Sequence, residues 1–529
     1  MEEATVAADP ALVQASEENR PPLGLLIFSI FIVAACSLAY ELLLATAASY
    51  LLGDTVLQFS LTIGIFLSSM GIGSYLSQFI RGRVLSRLVW LEAALGIIGG
   101  ASVFALYFAF VYLQPWFQTA FFGVVTLIGI LSGLEVPLFV RLLRHCFPIE
   151  KNIANTLTFD YLGALAASIL FPLLLYPVFG LERTACLIGI SNLIIGIMLS
   201  RYCGKKLAHT RYIIVTLLAI SLFISLTFMT RDINTFFMER IFRGAVLFSK
   251  RSPYQSISLV KKRDDIRMYI NHNLQFCSLD EHRYHETLVH TTLGLAGARG
   301  QVLILGGGDG MAAREVLKYA DVQRILLVDI DPMVIDLATH HPILRRLNTA
   351  SLADPRVEVR IDDAFRFVRD YHQGPRFDIV LIDLPDPSSI NLARLFSLEF
   401  YWAVRRLMTD QALLCVQSTS PTFAPRSYRC IQNTLQHAGF HTLGLHVFVP
   451  SFGDWGFNLA ALRPLTKEQL TLRRNIPTLY LDADTLAMLP LFPRDMPAPE
   501  VGINSLVNLR LSRYYQEDWD RYVSGLILN

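Results

Sequence analysis

Seven apolar runs, each about the length of a membrane-spanning helix, fill the first 230 residues, and they limit the possible folds more than any other feature of the chain. About twenty apolar residues in a helix cross a bilayer, and in lipid a helix satisfies its backbone polar groups within the segment. The runs lie at roughly 23–47, 55–79, 88–112, 117–141, 153–179, 182–200 and 212–230. They predict an α-helical multi-pass membrane domain over residues 22–230. The polar, acidic stretch before it, residues 1–21, lacks the basic start and short apolar core of a secretory signal and is expected to be a disordered tail. Composition agrees: 53% of the 529 residues are hydrophobic and only 17% charged, against about 25% charged in soluble chains. From Arg231 onward the pattern is that of a soluble α/β protein, so a second domain follows.

Four carboxylic acids fall inside the apolar runs: Glu41, Glu92, Glu135 and Asp160. Such groups face a bundle interior, where they either mark a proton or polyamine route or are neutral and hydrogen-bonded between helices. Basic residues gather in three short loops, at Arg81, Arg83 and Arg87, at Arg141, Arg144 and Lys151, and at Arg201, Lys205, Lys206 and Arg211. The positive-inside rule makes all three loops cytoplasmic. Seven full crossings would then leave the second domain outside, in conflict with the cytosolic chemistry argued below. Either one run does not cross fully, or an eighth is hidden, or the rule fails here; the expectation is a cell-membrane protein with a cytoplasmic catalytic half. Residues 231–250 interleave apolar and basic positions, as in an amphipathic connector at the membrane surface or a linker helix packed on the next domain.

Beyond this connector, SISLVKKRDDIRMYINHNLQF alternates apolar and polar positions around a charged turn, which predicts a β-hairpin subdomain over 251–282. QVLILGGGDGMAAREVLKY then runs from an apolar strand through glycines into an amphipathic helix, the opening of a Rossmann-like (class I methyltransferase-like) α/β domain over 283–470, with an extension over 471–529. Successive strands end in acids: Asp329 after RILLV, Asp362 and Asp363 after VEVRI, and Asp383 with Asp386 in FDIVLIDLPDP. Ligands of such sheets bind at the carboxyl ends of the strands. An acid after the second strand accepts bonds from ribose hydroxyls, and the Asp362–Asp363 pair is placed to meet an adenine edge. Each aspartate taken singly is equally an N-cap or turn residue; the set is a site. Carboxylates with few arginines nearby suit a cation. Asp309, within the glycine loop, would repel the carboxylate of S-adenosylmethionine and attract the cationic arm of its decarboxylated form. The net charge of +2 gives no reason to expect nucleic acid as a partner, and seven scattered cysteines without a CxxC pair suggest neither a metal site nor a disulfide framework.

In SPYQSI, DEHRYHE, VLILGGGDGMAAREVLKY, LVDID, DPRVEV, the Asp362–Asp363 pair and IDLPDP followed by LFSLEFYWAVRRLM, the chain resembles the spermidine synthase (polyamine aminopropyltransferase) family, over about Ser252 to Phe457. Chains joining such a domain to membrane helices are known in that family. The resemblance implies transfer of an aminopropyl group from decarboxylated S-adenosylmethionine, as co-substrate, to an amine such as putrescine, with no metal or other cofactor and with a homo-oligomer as the usual assembly. It implies Asp383 as catalytic base. Tyr284, His285, Asp309, Asp386 and Gln417 would form the amine side, and Gln255, Asp329, Asp363 and Ala364 the nucleoside side.

The sequence departs from the family at Asn271–His272 and Asp363–Ala364, where DG is usual, and at Asp329, where Glu is usual. It departs also at VPSFGDWGF, where a tyrosine-bearing loop is replaced and Phe452 stands for the tyrosine; this bears on the acceptor's identity. Two other functions fit parts of the pattern: a membrane-bound S-adenosylmethionine-dependent methyltransferase, and a polyamine transporter or sensor. Asp309 and the Asp383–Asp386 pair argue against the first, and a complete set of catalytic acids against the second.

Overall fold

The computed structural model describes residues 21–52, 55–144, 146–203, 206–372, 374–473, 475–496 and 498–527. All but the last residue of the expected acidic tail lies outside them. The chain divides between Arg243 and Gly244 into two compact units.

In the first unit the apolar runs form α1 (Leu23–Leu52), α2 (Thr55–Leu76), α3 (Val84–Tyr112), α4 (Phe117–Leu143), α5 (Ile149–Leu170), α6 (Gly180–Ser200) and α7 (Lys206–Phe242). Among the described residues six helical stretches are long and apolar enough to cross a membrane, not seven, because Ile149–Ser200 is one stretch of 52 residues holding two of the expected runs. If straight it would be about 78 Å long, against about 30 Å of hydrocarbon. It breaks instead after a π-helical segment, Phe171–Phe179, where Gly180 has φ 75° and ψ −176°, a conformation open essentially to glycine alone. There Thr184 Oγ1 donates to the Leu175 carbonyl at 3.0 Å, satisfying backbone that the break leaves exposed. Small residues let helix backbones approach closely. A Cβ on Gly96 would lie 2.8 Å from the Gly189 carbonyl oxygen, and one on Gly189 would lie 2.6 Å from that of Gly96. Glu41, Glu92 and Glu135 are buried in this bundle, as their placement in apolar runs predicts, while Asp160 is half-buried.

The structure corrects the expected connector at 231–250. Residues 231–242 are the last turns of α7, and Ala245–Arg251 is an edge strand, β1, of a four-stranded antiparallel sheet. With β2 (Ser256–Lys262), β3 (Asp265–Ile270) and β4 (Asn273–Cys277) it forms a meander, so the expected hairpin segment supplies three of the four strands. Asn271 and His272 both have positive φ (48° and 67°), which gives β3–β4 the two-residue turn whose twist matches the strands. Ile257, Leu259, Met268 and Phe276 of this sheet pack against Met311, Val334 and Leu337 of the domain that follows.

That domain is built on a seven-stranded sheet of order β10-β11-β9-β8-β5-β6-β7. Its strands are β5 (Gln301–Gly306), β6 (Arg324–Asp329), β7 (Val357–Ile361), β8 (Phe377–Asp383), β9 (Met408–Gln417), β10 (His441–Val449) and β11 (Gly453–Ala461). Strands β5 to β9 are parallel, and β11 runs antiparallel to β9 and β10. The chain winds outward from β5 in both directions, so the crevice between β5 and β8 is the topological switch point where ligands of open α/β sheets bind. Residues 471–529 are not a separate appendage. The buried Glu286 carboxylate accepts from the backbone N–H groups of Leu479, Tyr480 and Leu481 at 2.6–2.9 Å, which ties the extension to α8 (Glu281–Leu295).

Candidate active site

The switch point is set by glycine. Gly306 pairs in register with Asp383 and has φ 83°; a Cβ there would lie 2.1 Å from the Asp383 carbonyl oxygen. Two residues on, a Cβ on Gly308 would lie 2.5 Å from Asp329 Oδ2. With hydrogen at both positions the loop settles onto the two acids, and the Gly308 N–H donates to Asp329 Oδ2 at 3.1 Å. The Asp331 N–H donates to Asp329 Oδ1 at 2.9 Å. Burial pushes the Asp329 carboxyl up to about 6 despite these two bonds. Asp309 caps the next turn, accepting from the Met311 N–H at 2.9 Å.

Tyr284 on α8 donates its hydroxyl to Asp383 Oδ1 at 2.6 Å. Burial raises the Asp383 carboxyl, while His285 and the Tyr284 hydroxyl draw it down. His285 is buried and turned toward its own helix, with Nδ1 2.7 Å from Glu281 Oε2. Burial opposes a charge on this imidazole, but the Glu281 carboxylate outweighs it and lifts the group to about 9. Burial likewise raises Glu281, and bonds to His285 and to the Arg314 guanidinium (2.8 and 3.0 Å) overcome this and hold it near 2.

Asp386 is bonded on three sides. Gln417 Nε2 donates to Oδ1 at 3.3 Å; Tyr515 donates its hydroxyl to Oδ2 at 2.9 Å and Thr419 at 3.5 Å. Burial raises Asp386 to about 6 even so. Gln417 also donates to the Leu384 carbonyl (2.6 Å) and accepts from the Thr419 N–H (3.1 Å), so its amide is a brace for Asp386.

Of the nucleoside-side residues, Gln255 lies in the turn between β1 and β2, where its N–H donates to Ser252 Oγ at 3.1 Å. Ser252 in turn donates to buried Asp331 at 2.6 Å, so the SPYQ turn is pinned beside the end of β6. Asp363 caps the helix Ala364–Asp370 through the Arg366 N–H (2.9 Å) and is ion-paired with Arg394; Ala364 is the buried first residue of that helix. Asp362 is paired with Arg360 and Arg366. The pair expected to meet a ligand edge therefore has its carboxylates already engaged. Asp309, Asp329, Asp383 and Asp386 differ: among the described residues they accept from hydroxyl, amide and backbone groups and from no Arg or Lys.

Sequence reasoning missed Glu281, Arg314, Thr419 and Tyr515. Glu281 was legible in principle, since it stands four residues before His285 and an i,i+4 acid–histidine pair is a helical neighbour pair. Tyr515 carries no local signal, because it arrives from a helix more than a hundred residues past Asp386.

Residues 281–470 match the Spermine/spermidine synthase domain. The chain is 41% identical to the polyamine aminopropyltransferase of Leptospira interrogans, an alignment covering 94% of this chain and 99% of that one. It is 42% identical to polyamine aminopropyltransferase 2 of Ralstonia nicotianae, over 94% of this chain and 98% of the other. The chain belongs to the polyamine aminopropyltransferase family. It is accordingly an enzyme, and the likeness extends through the apolar helices, because an alignment of 502 residues cannot be confined to the matched domain. A solved spermidine synthase in complex with the transition-state analogue AdoDATO superposes with a TM-score of 0.44 at 25% identity, covering 47% of this chain and 85% of that one.

Proposed function

We propose that the enzyme transfers the aminopropyl group of decarboxylated S-adenosylmethionine to putrescine, giving spermidine and methylthioadenosine. The observation that carries this reading is the set of four aspartates at or beyond the strand ends whose charges no arginine or lysine among the described residues neutralises. Such a site favours cations and hydroxyl donors. Asp329 accepts from the ribose hydroxyls, with Gln255 and the Asp363–Ala364 turn on the nucleoside side. Because Arg394 already holds the Asp363 carboxylate, a ligand there must share it. Asp309 draws the cationic aminopropyl arm, and Asp386, braced by Gln417, binds the acceptor.

Putrescine arrives as a dication, since alkylammonium groups titrate near 10.4. Asp383, oriented by Tyr284, takes a proton from the near ammonium. The freed nitrogen lone pair then attacks the methylene next to the sulfonium. A C–N bond forms, the C–S bond breaks, and its electron pair leaves on sulfur as neutral methylthioadenosine. The secondary ammonium so formed is the product's own charged form. The sulfonium is already a good leaving group, so the protein's main work is alignment and the supply of a neutral amine. His285 acts through Asp383: its positive charge favours the ionised base.

The test is methylthioadenosine release by detergent-purified full-length protein given labelled decarboxylated S-adenosylmethionine with putrescine, cadaverine, agmatine or spermidine. Amine-dependent release, fastest with putrescine, is expected. Methyl transfer from S-adenosylmethionine without such release would overturn the reading in favour of a methyltransferase. We place the catalytic unit on the cytosolic side, where the donor is made.

A further inference from the structure

Tyr515 belongs to the C-terminal helix Arg510–Ile527, which lies beyond the residues matched by the synthase domain. This helix is docked firmly. Arg426 Nε donates to buried Asp518 at 2.6 Å, its Nη1 donates to Glu517 at 2.6 Å, and its backbone N–H donates to Asp518 at 3.0 Å. Docking presents Tyr515 to Asp386, and Trp519, one helical turn along, backs the tyrosine with ring centroids 6.0 Å apart.

An ionised carboxylate offers about four lone-pair positions. Among the described residues three of those at Asp386 are met, by Gln417, Thr419 and Tyr515, all neutral donors. They fix the direction of the carboxylate without cancelling its charge, and one position remains for an ammonium. The geometry points to Tyr515, brought in by the C-terminal helix, as the positioning residue that holds the Asp386 carboxylate toward the acceptor's far ammonium and so makes the enzyme select α,ω-diamines over monoamines. This inference rests on the proposed aminopropyl transfer.

The test compares Tyr515→Phe with wild type for putrescine and for butylamine, which has the same chain and one ammonium. Losing one hydrogen bond to a charged group is expected to raise the putrescine KM roughly tenfold, with a much smaller effect on kcat and on donor affinity. The putrescine-to-butylamine ratio of kcat/KM should fall by a similar factor. Tyr515→Ala should lower the ratio at least as much. An unchanged putrescine KM in Tyr515→Phe, or equal losses for both amines, overturns this role. If the wild type releases no methylthioadenosine with any amine, the proposed function fails on its own. The role of Tyr515 is then judged by equilibrium dialysis of labelled putrescine: weaker binding in Tyr515→Phe sustains it, and undiminished binding overturns it.

Discussion

At Asp329 and Asp386 burial raises both carboxyls to about 6, well above the ordinary aspartate value near 3.9. Their charge is present above about pH 6 and is lost as pH falls through it. Putrescine remains a dication between about pH 5 and 8, so its affinity should be steady above neutrality and weaken progressively below about pH 6. Equilibrium dialysis across that interval measures this, and a flat profile down to pH 5 would contradict it. Stability runs the other way. A raised carboxyl binds its proton more tightly in the folded state, so these two groups add stability as pH falls from about 6 toward 4. The acids themselves were legible in the sequence because a strand followed at once by Asp, repeated along the chain, is a pattern of the site. Their partners were not: Tyr515 meets Asp386 and Arg394 pairs with the helix-capping Asp363 through the fold alone.

Among the elements, the β5–glycine–helix unit was readable because a central parallel strand is buried on both faces and appears as an unbroken apolar run. Strand β1 is an edge strand that is largely exposed, and its mixed pattern merged with the amphipathic end of α7, which is why residues 231–250 looked like one connector. The break at Gly180 was equally hidden, since a single glycine between two apolar runs does not reveal that the helix continues up to it. The 479–481 segment owes its place to one side chain on α8. Glu286→Ala removes a buried charged acceptor from three backbone donors and should destabilise this attachment by about 3 kcal/mol. Limited proteolysis should then cleave between residues 471 and 482 faster than in the wild type. Unchanged resistance would show that other contacts hold the segment.

For the molecule as a whole, the apolar half and the carboxylate-lined half could both be read from the sequence, because each rests on a composition that only one environment tolerates. Sidedness could not, since the basic loops and the number of apolar runs point in opposite directions. Cys146 is exposed and lies between α4 and α5, near Arg144 and flanked by Arg141 and Lys151 in the adjoining helix turns. A cytoplasmic loop predicts that a membrane-impermeant maleimide leaves it unmodified in intact cells and labels it after lysis, with Cys146→Ser as the control; labelling in intact cells would reverse the orientation of that loop. The central claim is that the aspartates at the switch point carry out aminopropyl transfer, and the release assay on wild type and Asp383→Asn side by side tests it most directly. Loss of a positioned general base should slow putrescine-dependent methylthioadenosine release by about 10²- to 10⁴-fold, with the affinity for decarboxylated S-adenosylmethionine retained. Equal rates in the two proteins would contradict the account.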